Sequence, residues 1–552
     1  MPTLEWIGKD KVINHHQEVP YRILDKKYTY NADSSENMII HGDNLLALKS
    51  LLPQYEGRVD CIYIDPPYNT GNEKWVYNDN VNDPKIKKWL GEVVGPEGED
   101  LSRHDKWLCM MYPRLKLLSR LLSEKGTIFI SIGQEEIDNL LILCNEIFGC
   151  SNRIGIVTRV AKTASNKGTF FAPSIDYVVV FAKNKDIVNH FRGDVDESLY
   201  KKTETAGEMK GLKYRDDVAL YQASLDPMRG CINQRYYIEA PDGSLLIPPG
   251  NSFPQIKEDA SFNVPQTKED KVWRWSYQTY LQNKSLLVFK KTKTSPLLDE
   301  NGVQAKYNIY TKSYLDLRKT TGTVPRDYWD HCINRKGADL LKRIGVTFDF
   351  SKPVELLSYI MQILGNPKDF LILDSFAGSG TTAHAVLDLN KQDGGNRKFI
   401  LVEMMDYADT ITAERVKRVI DGYGEGNRAV AGLGGDFSYY ELGEPLFKED
   451  KNLNEEVGED EIRKYVYYME TKLPLEVGAD DNRYYMGKAN DTAYYFYYEK
   501  DKPTTLNREF LSTVKTKASG YLIYADVCAL PKETLDKNGI VFKKIPRDIK
   551  KL

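Results

Sequence analysis

Two stretches of this chain alternate short apolar runs with helically spaced ones, and the stretch between them does not. In the first, Met38-Ile39-Ile40-His41 reads as a strand ending at Gly42-Asp43-Asn44. A helix is predicted from Leu45 to Leu52, capped by Asp43 or Asn44. Val59-Asp60-Cys61-Ile62-Tyr63-Ile64 is β-branched and aromatic, a strand that stops at Asp65-Pro66-Pro67-Tyr68. The polar residues 72–102, with Trp75, Tyr77 and Trp89, read as a long loop near that turn. A helix is predicted from Lys106 to about Ser123, with Pro113 near a first turn or a kink. Gly126–Ile132 is a buried strand, Gln134–Phe148 an amphipathic helix, and Ile154–Val160 and Asp176–Lys183 two further strands. The alternation resumes with a helix from Pro353 to about Leu364, a strand closing at Leu373-Asp374, a glycine-rich turn and a helix. Lys398–Glu403 is the next strand and Asp406–Ile420 the next helix. Strand–helix–strand repetition of this kind predicts an α/β fold with parallel strands and crossover helices.

Between residues 186 and 345 helical periodicity weakens. Aromatic and basic residues interleave, as in Lys213-Tyr214-Arg215, Lys271-Val272-Trp273-Arg274-Trp275 and Lys290-Lys291-Thr292-Lys293. The formal charge of the whole chain is −3, which by itself points to no polyanion. Its distribution changes that picture. Residues 151–350 hold 31 Lys and Arg against 23 Asp and Glu, a balance of +8 that leaves −11 elsewhere. A basic middle is a solvated surface or a groove in which cations hold phosphates and other side chains read base edges. The expected organisation is an arm over 1–37, one half of an α/β domain over 38–185, an irregular insert over 186–345, the other half over 346–445 and a small α/β domain over 446–552. An acidic linker, Glu455–Glu461, opens that last domain. Its tyrosine-rich strands, around Tyr484-Tyr485 and Ala493–Tyr498, read as sheet core rather than a stacking platform.

Composition excludes several classes. The 552 residues are 41% hydrophobic and 28% charged, ordinary for a globular protein, and no apolar window is long enough to predict a membrane span. Met1-Pro2-Thr3-Leu4-Glu5-Trp6 does not read as a signal peptide. Seven scattered cysteines without C-x-x-C spacing read as reduced thiols of a cytoplasmic protein, and no His spacing suits a metal.

Two segments carry candidate chemistry. Pro66 and Pro67 each fix their own backbone, so Asp65 is held at a strand's carboxyl end with Tyr68 just beyond. The plain reading is a strand ending in a Pro-rich turn. The functional one is an acceptor and a stacking face presented to a flat polar ring. In the second segment, Asp374-Ser375-Phe376-Ala377-Gly378-Ser379-Gly380-Thr381, a glycine-rich turn joins a strand to a helix. An acid, Glu403, ends the next strand about 25 residues on. That is the layout of a nucleoside-binding Rossmann-like unit, with glycines for close backbone approach and the acid for ribose hydroxyls. The spacing F-x-G-x-G, with no Lys-Ser/Thr after it, argues against a P-loop.

Together these segments resemble the amino-methylating, S-adenosylmethionine-dependent DNA methyltransferases of the β group, in which the catalytic segment precedes the cofactor segment and the target-recognition region lies between. Asp65–Asn72, Trp107–Leu115 and Leu373–Thr382 are phrased as in the modification (Mod) subunits of type III restriction–modification systems. The resemblance covers residues 38–185 and 345–445 well and is loose over 190–340. It implies a circularly permuted Rossmann-like methyltransferase sheet with an inserted target-recognition domain, in which Leu371–Asp374 is the first strand, Phe399–Glu403 the second, Met38–Gly42 the third and Val59–Ile64 the fourth. It implies that Asp65 and the Pro66 carbonyl accept the N–H groups of an adenine N6, that Pro67 holds the turn, and that Tyr68 stacks on the flipped base. Asp374, Phe376, Ala377, Gly378, Ser379, Gly380 and Thr381 would surround the methionine part of S-adenosylmethionine, and Glu403 its ribose. Asp43 and Asn44 would lie beside its adenine, and Lys352 and Pro353 would close the methionine end. Double-stranded DNA, a helicase–nuclease restriction subunit and a second copy of the chain are the implied partners. A solitary DNA adenine methyltransferase, an RNA or protein methyltransferase on the same fold, and a silent nucleic-acid-binding module stay open at this point.

Overall fold

The computed structural model describes residues 3–70, 99–163, 170–193, 195–450, 452–475, 482–500 and 502–551. The loop expected over 72–102, with Trp75, Tyr77 and Trp89, falls almost wholly outside them. In chain order the elements that build the main sheet are β1 (Arg22–Tyr30), β2 (Met38–His41), α1 (Asn44–Tyr55), β3 (Val59–Ile64), α2 (Glu99–Leu121), β4 (Leu122–Ile132), α3 (Ile137–Phe148), β5 (Arg153–Val160) and β6 (Ile175–Ala182). After the insert come β7 (Tyr328–Trp329), α4 (Asn334–Ile344), α5 (Val354–Ile363), β8 (Leu371–Asp374), α6 (Thr381–Asp393), β9 (Lys398–Glu403), α7 (Glu414–Asp421) and β10 (Phe437–Pro445).

The ten strands form one sheet in the order β1-β10-β2-β9-β8-β3-β4-β6-β5-β7. From β10 to β4 all neighbours run parallel, whereas β6 is antiparallel to both β4 and β5. The expected third, second, first and fourth strands are therefore neighbours in that order, β2-β9-β8-β3. The chain is permuted in sequence and continuous in space. Residues 1–37 extend this sheet: β1 pairs antiparallel with β10.

Helix α2 shows how the pattern becomes structure. Trp107, Met111, Leu115 and Leu118 recur at helical spacing and all are fully buried. Each such burial stabilises by roughly 1.5–3 kcal/mol. The helix starts at Glu99, well before the expected Lys106, so Pro113 lies in its interior and not in its first turn. Asp43 caps α1, its Oδ1 accepting from Leu45 N at 2.9 Å and Leu46 N at 3.1 Å.

A second compact unit runs from Phe191 to Pro325. It has its own core, including Tyr236, Leu246, Trp273, Tyr280 and Ile309. Its antiparallel sheet is ordered Leu287–Lys291, Tyr307–Tyr314, Lys213–Ala219, Lys202–Thr203. The unit expected to be irregular is thus organised around buried aromatics that the sequence interleaves with cations. Residues 326–345, expected in the insert, belong to the sheet unit, where β7 pairs parallel with β5.

The C-terminal segment carries a four-stranded sheet, Tyr485–Ala489, Thr492–Phe496, Gly520–Ala525 and Ile540–Lys544, parallel except for its first pair. Tyr495 and Phe496 are fully buried, as the core reading of the tyrosine stripe expects. The acidic run is not all linker. Glu459, Asp460 and Glu461 form the first turn of a helix, Glu459–Thr471, where negative charge complements the helix dipole.

Candidate active site

Four parallel strands, β2, β9, β8 and β3, end on one edge of the sheet, and every candidate segment leaves from that edge. The glycine-rich turn follows β8 and Asp65 follows β3, and these two strands are hydrogen-bonded neighbours. The helix after β8 leads to β9 on one side, whereas β3 leads to β4 on the other. The crevice between them is where open α/β sheets bind ligands.

The Asp65–Tyr68 turn is clamped by side chains from three directions. Trp107 Nε1 on α2 donates to Pro67 O at 2.8 Å. Asn69, in a left-handed conformation at φ 59°, is fully buried and donates to Glu136 Oε1. Tyr68 Oη donates to Asp176 Oδ2 on β6 at 3.2 Å. Asp65 has one oxygen engaged, Oδ2, which accepts from Lys352 Nζ at 2.5 Å. Its Oδ1 is buried and has no hydrogen-bond partner among the described residues. The Lys352 ammonium also lies 5.0 Å from the centre of the Tyr68 ring. Lys352, expected at the methionine end, thus has its ammonium against the Asp65–Tyr68 turn and its carbonyl 3.4 Å from Thr381 Oγ1 of the glycine-rich turn. Pro353 occupies the cap position of α5.

The glycine-rich turn is held by its own surroundings. Gly378 N donates to Glu403 Oε2 at 2.7 Å and Met405 N to Glu403 Oε1 at 3.0 Å. Phe376 N donates to Asp374 Oδ1 at 3.1 Å and Thr382 Oγ1 to Asp374 Oδ2 at 2.6 Å. Ala377 N reaches Val402 O on β9 at 3.1 Å. Gly380 has φ 77°, and a Cβ there would lie 3.1 Å from Thr412 O, so this position takes glycine for both conformation and space. Ser379 Oγ and Thr381 Oγ1 lie 3.0 and 3.4 Å from Ser351 Oγ. Both accept from Arg415 Nη1 at 2.8 Å.

Burial sets the electrostatics. It pushes the Asp374 carboxyl up to about 7 against the pull of the Thr382 hydroxyl and the Phe376 amide. Burial likewise pushes Glu403 up to about 7, opposed by the amides of Met405 and Gly378. It pulls the Arg415 guanidinium down to about 9. Asp43 shows the capping contacts and faces Arg114 Nη2 at 3.4 Å. Asn44 joins two elements, donating to Ser375 O at 3.2 Å and accepting from Arg114 Nε at 2.5 Å.

Trp107, Arg114, Glu136, Asp176, Ser351 and Arg415 were not among the candidates read from the sequence. Trp107 and Arg114 had a signal: seven residues apart, they share a helix face. Asp176 had another, an acid just before the buried run Val178–Ala182. Arg415, a buried cation on a helix of mixed charge, had none.

The residues fit S-adenosylmethionine. Glycines at 378 and 380 keep side-chain atoms out of the turn, and Ser375 Oγ is a buried hydroxyl with no partner among the described residues. A sheet in methyltransferase order, a glycine-rich turn beside it and Asp-Pro-Pro-Tyr on the next strand define a class of nucleic-acid-modifying protein, and the family model described as "DNA methylase" matches residues 59–414: the chain belongs to that family. It is 32% identical over 424 residues to the type III restriction–modification enzyme EcoPI Mod subunit of Escherichia phage P1, covering 73% of this chain and 63% of the relative. Against the EcoP15I Mod subunit of Escherichia coli it is 28% identical over 456 residues, covering 76% and 66%. Against the type II methyltransferase M.KpnI of Klebsiella pneumoniae it is 31% identical over 380 residues, covering 67% and 81%. The chain thus spans a little under two thirds of these two Mod relatives. No helix among the described residues is long and apolar enough to cross a membrane.

Proposed function

We propose that the chain methylates adenine N6 in duplex DNA, using S-adenosylmethionine, and that it is the modification and recognition subunit of a type III restriction–modification system. The observation that carries this reading is the buried Oδ1 of Asp65, without a hydrogen-bond partner among the described residues, at the end of the strand beside the glycine-rich turn. An exocyclic adenine amine is a poor nucleophile because its lone pair is delocalised into the ring. Asp65 Oδ1 and Pro66 O accept its two N–H bonds and draw the nitrogen toward tetrahedral geometry. S-adenosylmethionine supplies the electrophile, a methyl group on a positively charged sulfur. When bound, the cofactor would supply that methyl to the N6 lone pair as its carbon–sulfur bond breaks and a neutral thioether leaves, and Asp65 would take the proton that N6 sheds along their hydrogen bond. Tyr68 stacks on the base, which has left the duplex. Stacking contributes about 1–3 kcal/mol, comparable to the few kcal/mol that unpairing costs. Positioning and electrostatics are the protein's share of the chemistry.

Glu403 binds the ribose hydroxyls, and Phe376–Thr381 with Ser351 surround the methionine part. Asp43 and Asn44 lie beside the cofactor's adenine. The unit over 191–325 reads the DNA sequence. Its cations are partly committed: Lys202 pairs with Asp216, Lys312 with Glu204, and the Lys290 ammonium lies 4.3 Å from the centre of the Tyr310 ring. A helicase–nuclease subunit and a second copy of the chain are the partners in this reading. A second reading, a methyltransferase acting without a nuclease subunit, is favoured by the larger share of M.KpnI that the chain covers.

Expression in a methylation-free host, followed by single-molecule sequencing of its DNA, tests the activity. The expected result is N6-methyladenine at one motif, absent with Asp65→Ala; unmarked DNA from the wild type would refute the reading. Co-purification with a helicase–nuclease subunit separates the two readings.

A further inference from the structure

We propose that Asp176 positions Tyr68 for the base, with Arg159 as its anchor; this rests on the function proposed above. Tyr68 follows β3, yet its hydroxyl partner lies two strands away on β6, with β4 between them. The ring gets there because β4 ends at Ile132 and Gly133 follows. A Cβ at Gly133 would lie 3.0 Å from Tyr68 Cδ2, so the ring passes over the end of β4 where no side chain blocks it.

At the far side the acceptor is itself fixed. Arg159 and Asp176 are direct cross-strand partners in the β5–β6 pair, which puts both side chains on one face. Arg159 Nε donates to Asp176 Oδ1 at 2.8 Å and Nη2 to Oδ2, so the pair is bidentate. The other terminal nitrogen, Nη1, donates to Cys332 O at 2.6 Å and to Asn334 Oδ1 at 2.9 Å. The guanidinium is fully buried and makes four hydrogen bonds. A buried ion pair is weak as a source of stability, because desolvation offsets much of the attraction. What it supplies here is a carboxylate oxygen at a fixed point, and Tyr68 Oη is the group that uses that oxygen. The hydroxyl contact fixes the tilt of a ring that two side-chain torsions would otherwise leave free. The stacking face is therefore set before a base arrives.

The experiment uses the full chain, S-adenosylmethionine and two duplexes, one with 2-aminopurine at the target position, whose fluorescence rises when the base is unstacked, and one with adenine there, from which kcat is read. Tyr68→Phe keeps the ring and leaves the Arg159–Asp176 pair intact. It is expected to lower flipped-base fluorescence and kcat about fivefold, the effect of one lost hydrogen bond, with cofactor Kd unchanged. Asp176→Asn is expected to do the same in the wild-type background and nothing more when added to Tyr68→Phe. A merely structural Asp176 would give equal losses in both backgrounds, and that additivity would overturn the proposal. So would a Tyr68→Phe protein equal to wild type in both readouts. If Asp176→Asn fails to fold, Tyr68→Phe decides alone. A wild type that does not methylate DNA would refute the function but not the positioning. 3-Fluorotyrosine at position 68 then reads ring order without DNA: one narrow fluorine line in the wild-type background that broadens in Asp176→Asn supports it, and identical lines overturn it.

Discussion

The two halves of the site, on adjacent strands, treat their polar groups in opposite ways. After β8, each carboxylate oxygen of Asp374 and of Glu403 accepts from the turn itself or from the element that follows. After β3, Asp65 keeps one buried oxygen without a partner among the described residues, and a lysine holds the other. The glycine-rich half, proposed to hold the cofactor, keeps its shape by its own hydrogen bonds. The Asp65 half is clamped in its backbone and open at the atom proposed to react. Preorganisation and reactivity would then lie on different strands, and substitutions on the two should fail differently.

The largest separation is expected from Asp65→Ala. Methyl transfer should fall by about 10³-fold or more, the scale of a lost group that handles the transferred proton, while cofactor Kd by calorimetry stays within about twofold. Comparable loss of cofactor binding would mean the halves are not separable. Gly380→Val should do the converse, through its left-handed conformation and the close Thr412 carbonyl. Cofactor affinity should drop by about tenfold or more, and stability by about 1–2 kcal/mol in urea titrations.

Glu403→Gln sharpens the contrast through pH. The Glu403 carboxyl is pushed up to about 7 by burial, so the folded chain holds a proton that the unfolded chain has released from about pH 4.5 upward. Its contribution to stability is present below that pH and is lost as pH rises through about 7. Ribose hydroxyls donate to the ionised form, so cofactor affinity of the wild type should rise between about pH 6 and 8 with a proton released. Glu403→Gln should bind about tenfold more weakly at about pH 8 and lose that slope; an unchanged slope would remove Glu403 from the ribose site. The smallest effect is expected from Lys352→Met. Its partly buried pair with Asp65 contributes about 1 kcal/mol, so urea unfolding should shift by that amount with cofactor affinity unchanged.

Much of this was legible in the sequence because the relevant physics is local. Strand length, proline and glycine punctuation and apolar periodicity placed β2, β3, β8 and β9, and the permuted strand order followed from the resemblance. The aromatic clusters of 191–325 were visible as residues but not as a core, because cations interleave with them and mask any period. Lys352 was read at the methionine end. What brings its ammonium to Asp65 is tertiary folding, a contact 287 residues apart in sequence. The clamps on the Asp65–Tyr68 turn are equally remote: Trp107 and Asp176 lie 40 and 108 residues from their partners. No window of sequence contains both ends of such a contact.

The strand order also sets a problem for the growing chain. β2 and β3 are finished by residue 64, but the strands that separate and join them, β8 and β9, begin at residues 371 and 398. At roughly 5–20 residues per second, synthesis leaves one edge of β3 without its partner for roughly 15–60 s, and both edges of β2 for roughly 20–80 s. Contacts at such separation form slowly, and unpaired apolar edges are templates for aggregation. The insert between the halves has its own core and can fold during that interval, shortening the free chain that must close when β8 emerges.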